Sequence, residues 1–582
     1  MGQADINVEQ DREALAQAHA KGPISVLGTY IRLSGPGWLQ SAITLGGGSL
    51  AGALFLGILG GTSMLWLQLM AIIMGVVMLS AISYVTLSSG ERPFKAINTH
   101  INPVLGWGWL VATGMANMIW CMPQFSLCYE ALEKNLAVGK VGSSLGAKLG
   151  VSAVILIVAS IVVVLNSHRG MAAKIFDWLL KALVGMIVIC FFGVTIYLSR
   201  QGVLDWGSIF SGFLPDFSQW TYPTGKVEQL IQDLPQADAD FWVPRVVKAQ
   251  RAVMIGAAAT AVGINMTFLM PYAMLQRGWN KTFRGLARFD LATGMAVPYV
   301  LVTTCVVIAA AQAFHATPPN TEFMSSDPAT FYSSKTFKGA QVALLARIDS
   351  KVKDFKMDAG DGKTQDAKFS ELTEVQFAAV AKMAKLPEAE KLIASSMVKR
   401  NAFTLSSSLA PLLGKKVAIY VFGVGVFAMG LSTIIILMLI NGFVFCEAVG
   451  KSQGGPLFII GCLVAGVSGA IWPLVWDGPA KLWLAILTSS FGMMLLPIAY
   501  ITFFMMMNSK TLMGDEKPKG ASMVTWNVLM GISVLGALGA AATAIWDKAS
   551  HPVAGPLVIG VGISYLVLVV FGFIYKARKK AA

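Results

Sequence analysis

Apolar residues run along this chain in long unbroken stretches, not in the alternating or one-sided patterns of water-soluble strands and helices. A continuous apolar run of roughly 20 residues crosses a bilayer as a helix. Such runs, punctuated by Gly, Pro and charge at their ends, predict spans at 35–60, 62–89, 105–131, 148–166, 172–199 and 250–276. The second half predicts 287–315, 416–446, 456–475, 482–507, 522–546 and 553–575. The fold class read from this pattern is an all-α membrane protein with about 12 transmembrane helices. An even count places both termini on one side.

The polar segments between these runs divide the chain. Residues 1–34 are polar, carry several acids and lack the basic-then-apolar order of a cleaved signal, so the first span is expected to direct insertion. Spans one to five occupy 35–199, an extracytoplasmic loop 200–248, and spans six and seven 249–315. An extracytoplasmic helical insertion follows at 316–415, and spans eight to twelve with a short cytoplasmic tail fill 416–582. The loop 200–248 holds Trp206, Trp220 and Trp242 among acids and prolines, which reads as an interfacial, partly ordered segment. In the insertion, AQVALLARI and EVQFAAVAKMAKL space their apolar residues as helices do, predicting a small cap.

Composition sharpens the class. Hydrophobic residues make up 55% of the chain and charged residues 13%, against about 25% charged in soluble domains. The net charge of +14 would suggest nucleic acid in a soluble protein. Here the cations gather in short loops on one side, among them Arg92, Lys95, Arg169, Lys174, Arg277, Lys281, Arg284 and Arg288. The opposite short loops carry fewer, such as Lys134, Lys140, Lys148, Lys481 and Lys548. The charge therefore orients the chain with cytoplasmic termini in an inner (plasma) membrane, with lipid and not nucleic acid as its surroundings. All six cysteines fall in apolar segments with no CxxC pair, which argues against disulfides and thiolate metal clusters. No cofactor is expected, and a monomer suffices.

Two spans carry signs of a break. Span one reads GPGWLQSAITLGGGSLAGALFLGIL, with Gly46, Gly47 and Gly48 at its middle. Each helical glycine costs about 1 kcal/mol relative to alanine, so three together invite the helix to open. Span six reads AVMIGAAATAVGINMTFLMPYAMLQ, with Gly263, Asn265 and Pro271. Pro271 removes a hydrogen bond and crowds the carbonyl of Thr267, weakening the ladder near Asn265. Spans one and six are corresponding positions in a five-plus-five inverted repeat, and broken helices in matching positions mark a transport site. The bland alternatives are a close small-residue helix crossing for the glycines and an interhelical hydrogen bond for Asn265. The candidate site places Thr44, Gly46, Gly47, Gly48 and Ser49 across one cavity from Gly263, Ile264, Asn265, Met266 and Thr267. Ser489, Gln124 and Asn117 are further polar candidates.

At these residues the chain resembles the Nramp family of divalent-metal transporters, within the LeuT-type fold. GPGWLQSAI resembles the family's first span and FDLATGMAVPYVLVTTCVVIAAAQAFHA its seventh. LLPIAYITFFMMMNSKTLMGD, at the end of span ten, is the most specific match, and AMGLST fits span eight more loosely. The resemblance covers most of spans one to ten and implies a secondary transporter, not an enzyme. Its metal ligands do not carry over. Where metal-transporting members have DPGN, this chain has Gly46, Gly47, Gly48 and Ser49. The family's MPH, aligned through the following LQR, becomes Ile264, Asn265 and Met266, leaving no thioether at the ligand position, while a one-step shift brings Met266 towards it. The family's Gln of span ten aligns with Ser489. Thr113, Trp120 and Pro123 stand where proton-coupled members carry acids in span three.

These losses bear on the cargo. A dehydrated divalent ion at mid-membrane needs a compensating charge, and neither 34–60 nor 252–276 contains an acid. Three readings remain open. A divalent ion such as magnesium could travel with much of its water, so that carbonyls and hydroxyls suffice. Alternatively, the glycine break could hold a small anion or the carboxylate of an amino-acid-like solute on free N–H groups at a helix start. The third reading is a non-transporting sensor or scaffold that keeps the fold. Coupling to protons through span three is not expected, since 108–129 contains no Asp, Glu or His. Glu130, Asp290 and Glu447 lie at span ends and are expected to be interfacial charges.

Overall fold

The computed structural model describes residues 3–167, 171–358, 364–400, 403, 410, 414–475, 483–549 and 554–581. Arg169 and Lys481, two of the loop charges used above, lie outside the described residues. Among the described residues, ten helices are long and apolar enough to cross a bilayer, and eleven if the bent pair Pro36–Thr44 and Gly47–Gly60 counts as one span. At the ninth expected span stands Gly455–Ala470, whose 16 residues are fewer than the roughly 20 a crossing takes. By length, the described residues thus hold up to eleven candidate spans.

Two helices precede the first span: α1 (Gln3–Lys21) and α2 (Pro23–Leu33). The first span follows as α3 (Pro36–Thr44) and α4 (Gly47–Gly60). Nearly every residue of α3 and α4 is buried, because they thread the centre of the bundle between the sixth, seventh and eighth spans. That position demands close approach. A Cβ at Gly52 would lie 2.9 Å from Ala257 Cα, so α4 and the sixth span touch backbone to backbone. Gly52→Leu is expected to abolish folded protein in detergent, read by size-exclusion chromatography, because overpacking here has no flexible side chain to displace.

The sixth span begins earlier than expected, at Gln236, and its helix Gln236–Ala261 reaches out of the bundle. Trp242 belongs to this helix and is fully buried, not an interfacial loop residue. It joins a second apolar cluster with Phe323, Phe331, Phe337, Leu344, Met383 and Ile393 of the insertion. The described residues of 316–415 are largely helical, with a two-stranded hairpin pairing Lys356–Asp358 with Thr364–Asp366. Glu390, almost fully buried, accepts from Trp242 Nε1 at 2.8 Å and pairs with Arg347, which also pairs with Asp238 on the sixth-span helix. These contacts bolt the cap onto the outer end of that helix.

The three acids at span ends are not solvated interfacial charges. Glu130, Asp290 and Glu447 are all buried. Glu447 pairs with Arg92, and Glu130 accepts from Lys134 Nζ at 3.2 Å. Asp290 Oδ2 accepts from the backbone N–H groups of Gly35 at 3.1 Å and Gly37 at 2.6 Å, so it caps the start of α3. Asp290 and Glu447 thus tie distant segments together, whereas Glu130 pairs within its own helical stretch, and none of this shows in a reading of span ends alone.

Beyond the tenth span, Glu516 accepts from Lys281 Nζ at 2.9 Å and Arg284 Nη2 at 2.7 Å. Hydrogen bonding to these two cations pulls its carboxyl down to about 2. A carboxylate lowered in the folded state stabilises while ionised, so this contribution is present above about 4.5 and is lost as pH falls through 2. Hydrogen exchange across 509–520, corrected for intrinsic rate, is expected to rise between pH 5 and pH 2.5. The Glu516→Gln variant should exchange faster already at neutral pH and show less of this rise.

Candidate substrate-binding site

Both breaks exist. In the first span the helix stops at Thr44; Leu45 (φ −84°, ψ 42°) and Gly46 (φ −92°, ψ −177°) are non-helical, and α4 leaves at 51° to α3. Gly47 and Gly48 lie in the first turn of α4, past the break, where their N–H groups have no intrahelical acceptor anyway. In the sixth span Val262 (φ −144°, ψ 113°) and Gly263 (φ −91°, ψ 166°) are extended between Gln236–Ala261 and Ile264–Gln276. Pro271 sits inside the second of these helices, so it does not make the break. The cause lies at Gly263, which must be bare. A Cβ there would meet Trp120 Cη2 at 2.5 Å and Asn265 Oδ1 at 2.7 Å.

Between the breaks lies a cavity of about 50 Å³, counted as space open to the centre of a water molecule. About 10–15 Å³ in that measure holds one water, so a few waters or a small ion with part of its shell fit. Of the expected residues, Gly46, Gly48, Ser49, Gln124, Gly263, Asn265, Met266 and Ser489 line it. Met266 is therefore at the cavity, as the shifted alignment has it, and its Sδ accepts from Thr44 Oγ1 at 3.5 Å. The others stand back. Gly47 spends its N–H on Gln124 Oε1 at 2.8 Å. Thr267 donates to Ile264 O at 2.5 Å and accepts from Trp109 Nε1 at 2.9 Å. Ile264 and Asn117 are buried but do not line the cavity, and the Asn117 amide has no protein partner.

Sequence reasoning missed Trp120, Thr260, Thr433 and Thr488, which also line the cavity. Trp120 donates to Thr488 O at 2.7 Å and packs against Gly263 and Gly492. Thr433 explains Gly46. A Cβ on Gly46 would collide with Thr433 Oγ1 and lie 3.1 Å from Thr433 Cγ2, so the space of a side chain at the first break is already filled from the eighth span.

Four of the five hydroxyls that line the cavity share one arrangement. Ser49 donates to Thr44 O, Thr260 to Ala257 O at 2.7 Å, Thr433 to Met429 O at 2.8 Å and Thr488 to Ala485 O at 3.1 Å. A hydroxyl has one proton, so each keeps only lone pairs for a ligand. Three lining side chains differ: Asn265 Oδ1 accepts from Met266 N at 2.9 Å while its Nδ2 has no protein partner, and Gln124 Nε2 and Ser489 Oγ donate to no protein atom among the described residues. No charged side chain lines the cavity, and among the described residues no group of three or more His, Cys, Asp or Glu could hold a metal.

Solved structures similar to this one include a manganese transporter of Eremococcus coleocola in complex with an aromatic bis-isothiourea substituted compound. It is 14% identical, with a TM-score of 0.61 over 96% of this chain and 97% of that one. Two single-residue mutants of that transporter match with a TM-score of 0.60 at 14% identity, over 95% of this chain and 96% of theirs. No curated protein matches the sequence. The two broken spans and the likeness over nearly the whole length place the fold in the LeuT-type class. The sequence itself matches the natural resistance-associated macrophage protein-like family over residues 37–332 and 375–542, most of the chain and both breaks, and the chain therefore belongs to the Nramp family.

Proposed function

We propose that this protein is a secondary transporter that binds its cargo between the two breaks, and that the cargo is a divalent cation, magnesium-like, carried with much of its water. The observation that supports this reading is the set of hydroxyls on Ser49, Thr260, Thr433 and Thr488, whose protons are all spent on backbone carbonyls. Water bound to a cation points its hydrogens outward, so a wall of lone pairs suits a hydrated ion. Magnesium sheds its water reluctantly, whereas stripping it would require the carboxylate that Gly46 lacks. Family membership and the manganese transport of the similar structures favour a metal ion in general. Twelve spans, an inner-membrane location and cytoplasmic termini complete the proposal.

Uptake into sealed proteoliposomes tests it. Magnesium uptake should saturate and be inhibited by hexaamminecobalt(III), an exchange-inert mimic of a hydrated ion. Manganese and iron at micromolar concentration should show no saturable uptake, and a pH dye in the lumen should report no substrate-dependent acidification. Saturable manganese uptake with acidification would overturn both the hydrated cargo and the absence of proton coupling.

A second reading rests on Asn265. Its free Nδ2, together with the N–H groups of Gly48 and Ser49 at the start of α4, would suit an acceptor-bearing solute such as a small anion or a carboxylate. Thermal stabilisation by carboxylates and inorganic anions, with none by magnesium, would favour it.

A further inference from the structure

We propose that α2 is an interfacial helix that docks onto an anionic lipid surface, at the leaflet where the first span begins, and thereby fixes the position of α3. Ile24, Leu27 and Ile31 recur at helical spacing and form one stripe, yet they are 88%, 49% and 62% exposed. None of the 11 residues of α2 is buried. On another face, the Tyr30 ring packs 5.4 Å from Phe289 on the seventh span and 6.4 Å from His19 of α1. The stripe therefore faces away from the protein and has no protein partner among the described residues.

Chain connectivity identifies what covers the stripe. Only Ser34 and Gly35 separate Leu33 from Pro36, the first residue of a helix that enters the bilayer. Two extended residues reach about 7 Å, so the C-terminal end of α2 is held at the membrane surface. Charge points the same way. Lys21, the last residue of α1, and Arg32, near the end of α2, are exposed, and no acid lies between Lys21 and Ser34. The neighbouring α1 carries Asp5, Glu9, Asp11 and Glu13; of these, Asp11 faces Arg32 and Arg277, and Glu9 pairs with Arg12. An aliphatic stripe flanked by cations and continuous with a span fits an anionic headgroup layer with acyl chains beneath it.

The anchor bears on the first break through short links. Lys181 Nζ donates to Ser34 O at 3.2 Å, and Asp290 holds the N–H groups of Gly35 and Gly37. With α2 held at the surface on one side and Asp290 on the other, the start of α3 is fixed at two points.

The full-length protein in nanodiscs tests the proposal. Leu27→Cys is labelled with a fluorophore; the native cysteines are all buried or half-buried, so label in the unsubstituted protein serves as background. Phosphatidylglycerol brominated along its acyl chains should quench the label at least twofold. Brominated phosphatidylcholine should quench it less, and Lys21→Gln with Arg32→Gln should remove the difference. Equal emission with and without bromine overturns the proposal, as does quenching that appears only when two copies share a disc, which would indicate a protein partner. Should the labelled variant fail to fold, hydrogen exchange of the unmodified protein decides: α2 should exchange at least fivefold more slowly in anionic than in zwitterionic discs, and equal rates overturn it.

Discussion

Gly46→Asp in a Thr433→Ala background should bind magnesium more tightly and acquire manganese binding that the parent protein lacks. Thr433→Ala is needed because the new Cβ would otherwise strike the Thr433 hydroxyl. A carboxylate about 4 Å from a cation contributes roughly 4 kcal/mol per unit charge at an effective dielectric near 20. Burying that carboxylate costs part of this gain, so the expected net is a 10- to 100-fold lower Kd, or about 1.4–2.8 kcal/mol. Thr433→Ala alone is the control and should weaken magnesium slightly, by removing one lone-pair hydroxyl. An anion in the same cavity would respond in the opposite direction, since like charges at that distance repel by a similar amount. Isothermal titration of the three proteins with magnesium, manganese and a panel of small anions separates the outcomes. Unchanged binding of both classes would mean that the cargo does not sit at the first break.

Arg347→Ala should loosen the cap by about 3–5 kcal/mol, the cost of leaving a buried charge without its partner. Glu390 is the charge left behind: its side chain is 1% exposed, and after the change only Trp242 Nε1 would still donate to it. The transmembrane bundle has its own apolar core, so the loss should appear as proteolysis of 316–400 while the remainder of the chain resists. Adding Glu390→Gln should restore much of the protection, because a neutral amide tolerates burial and can still accept from Trp242. Equal proteolysis of Arg347→Ala and the parent protein would rule out the bolt as a source of cap stability.

The breaks were legible because glycine leaves a strong mark in an apolar run. Their registers were less so. The triplet Gly46–Gly48 marks the first break, but the chain opens at Leu45–Gly46, since the first turn of a helix has free N–H groups and accepts the next two glycines without loss. Pro271 looked like the cause of the second break and is accommodated inside a helix, while Val262 and Gly263 open under the ring of Trp120. Thr433 was invisible for a different reason. A single threonine in a long apolar helix has no local pattern, and its role comes from facing Gly46 across the bundle. Burial of Glu447 was hidden in the same way, because its partner Arg92 is 355 residues distant in sequence.

The helix that carries the cap is also a lever. Its 26 residues, Gln236–Ala261, are about 39 Å long, running from the second break to the cap. A tilt of roughly 10° about Val262 would swing its outer end by about 7 Å, and the cap would travel with it because Arg347 and Glu390 join the two. Small rotations at a buried hinge thus become large displacements at the outer face of the molecule. A pair of spectroscopic labels, one on the cap and one on the outer end of a neighbouring span, would read the state of the hidden cavity from outside the membrane.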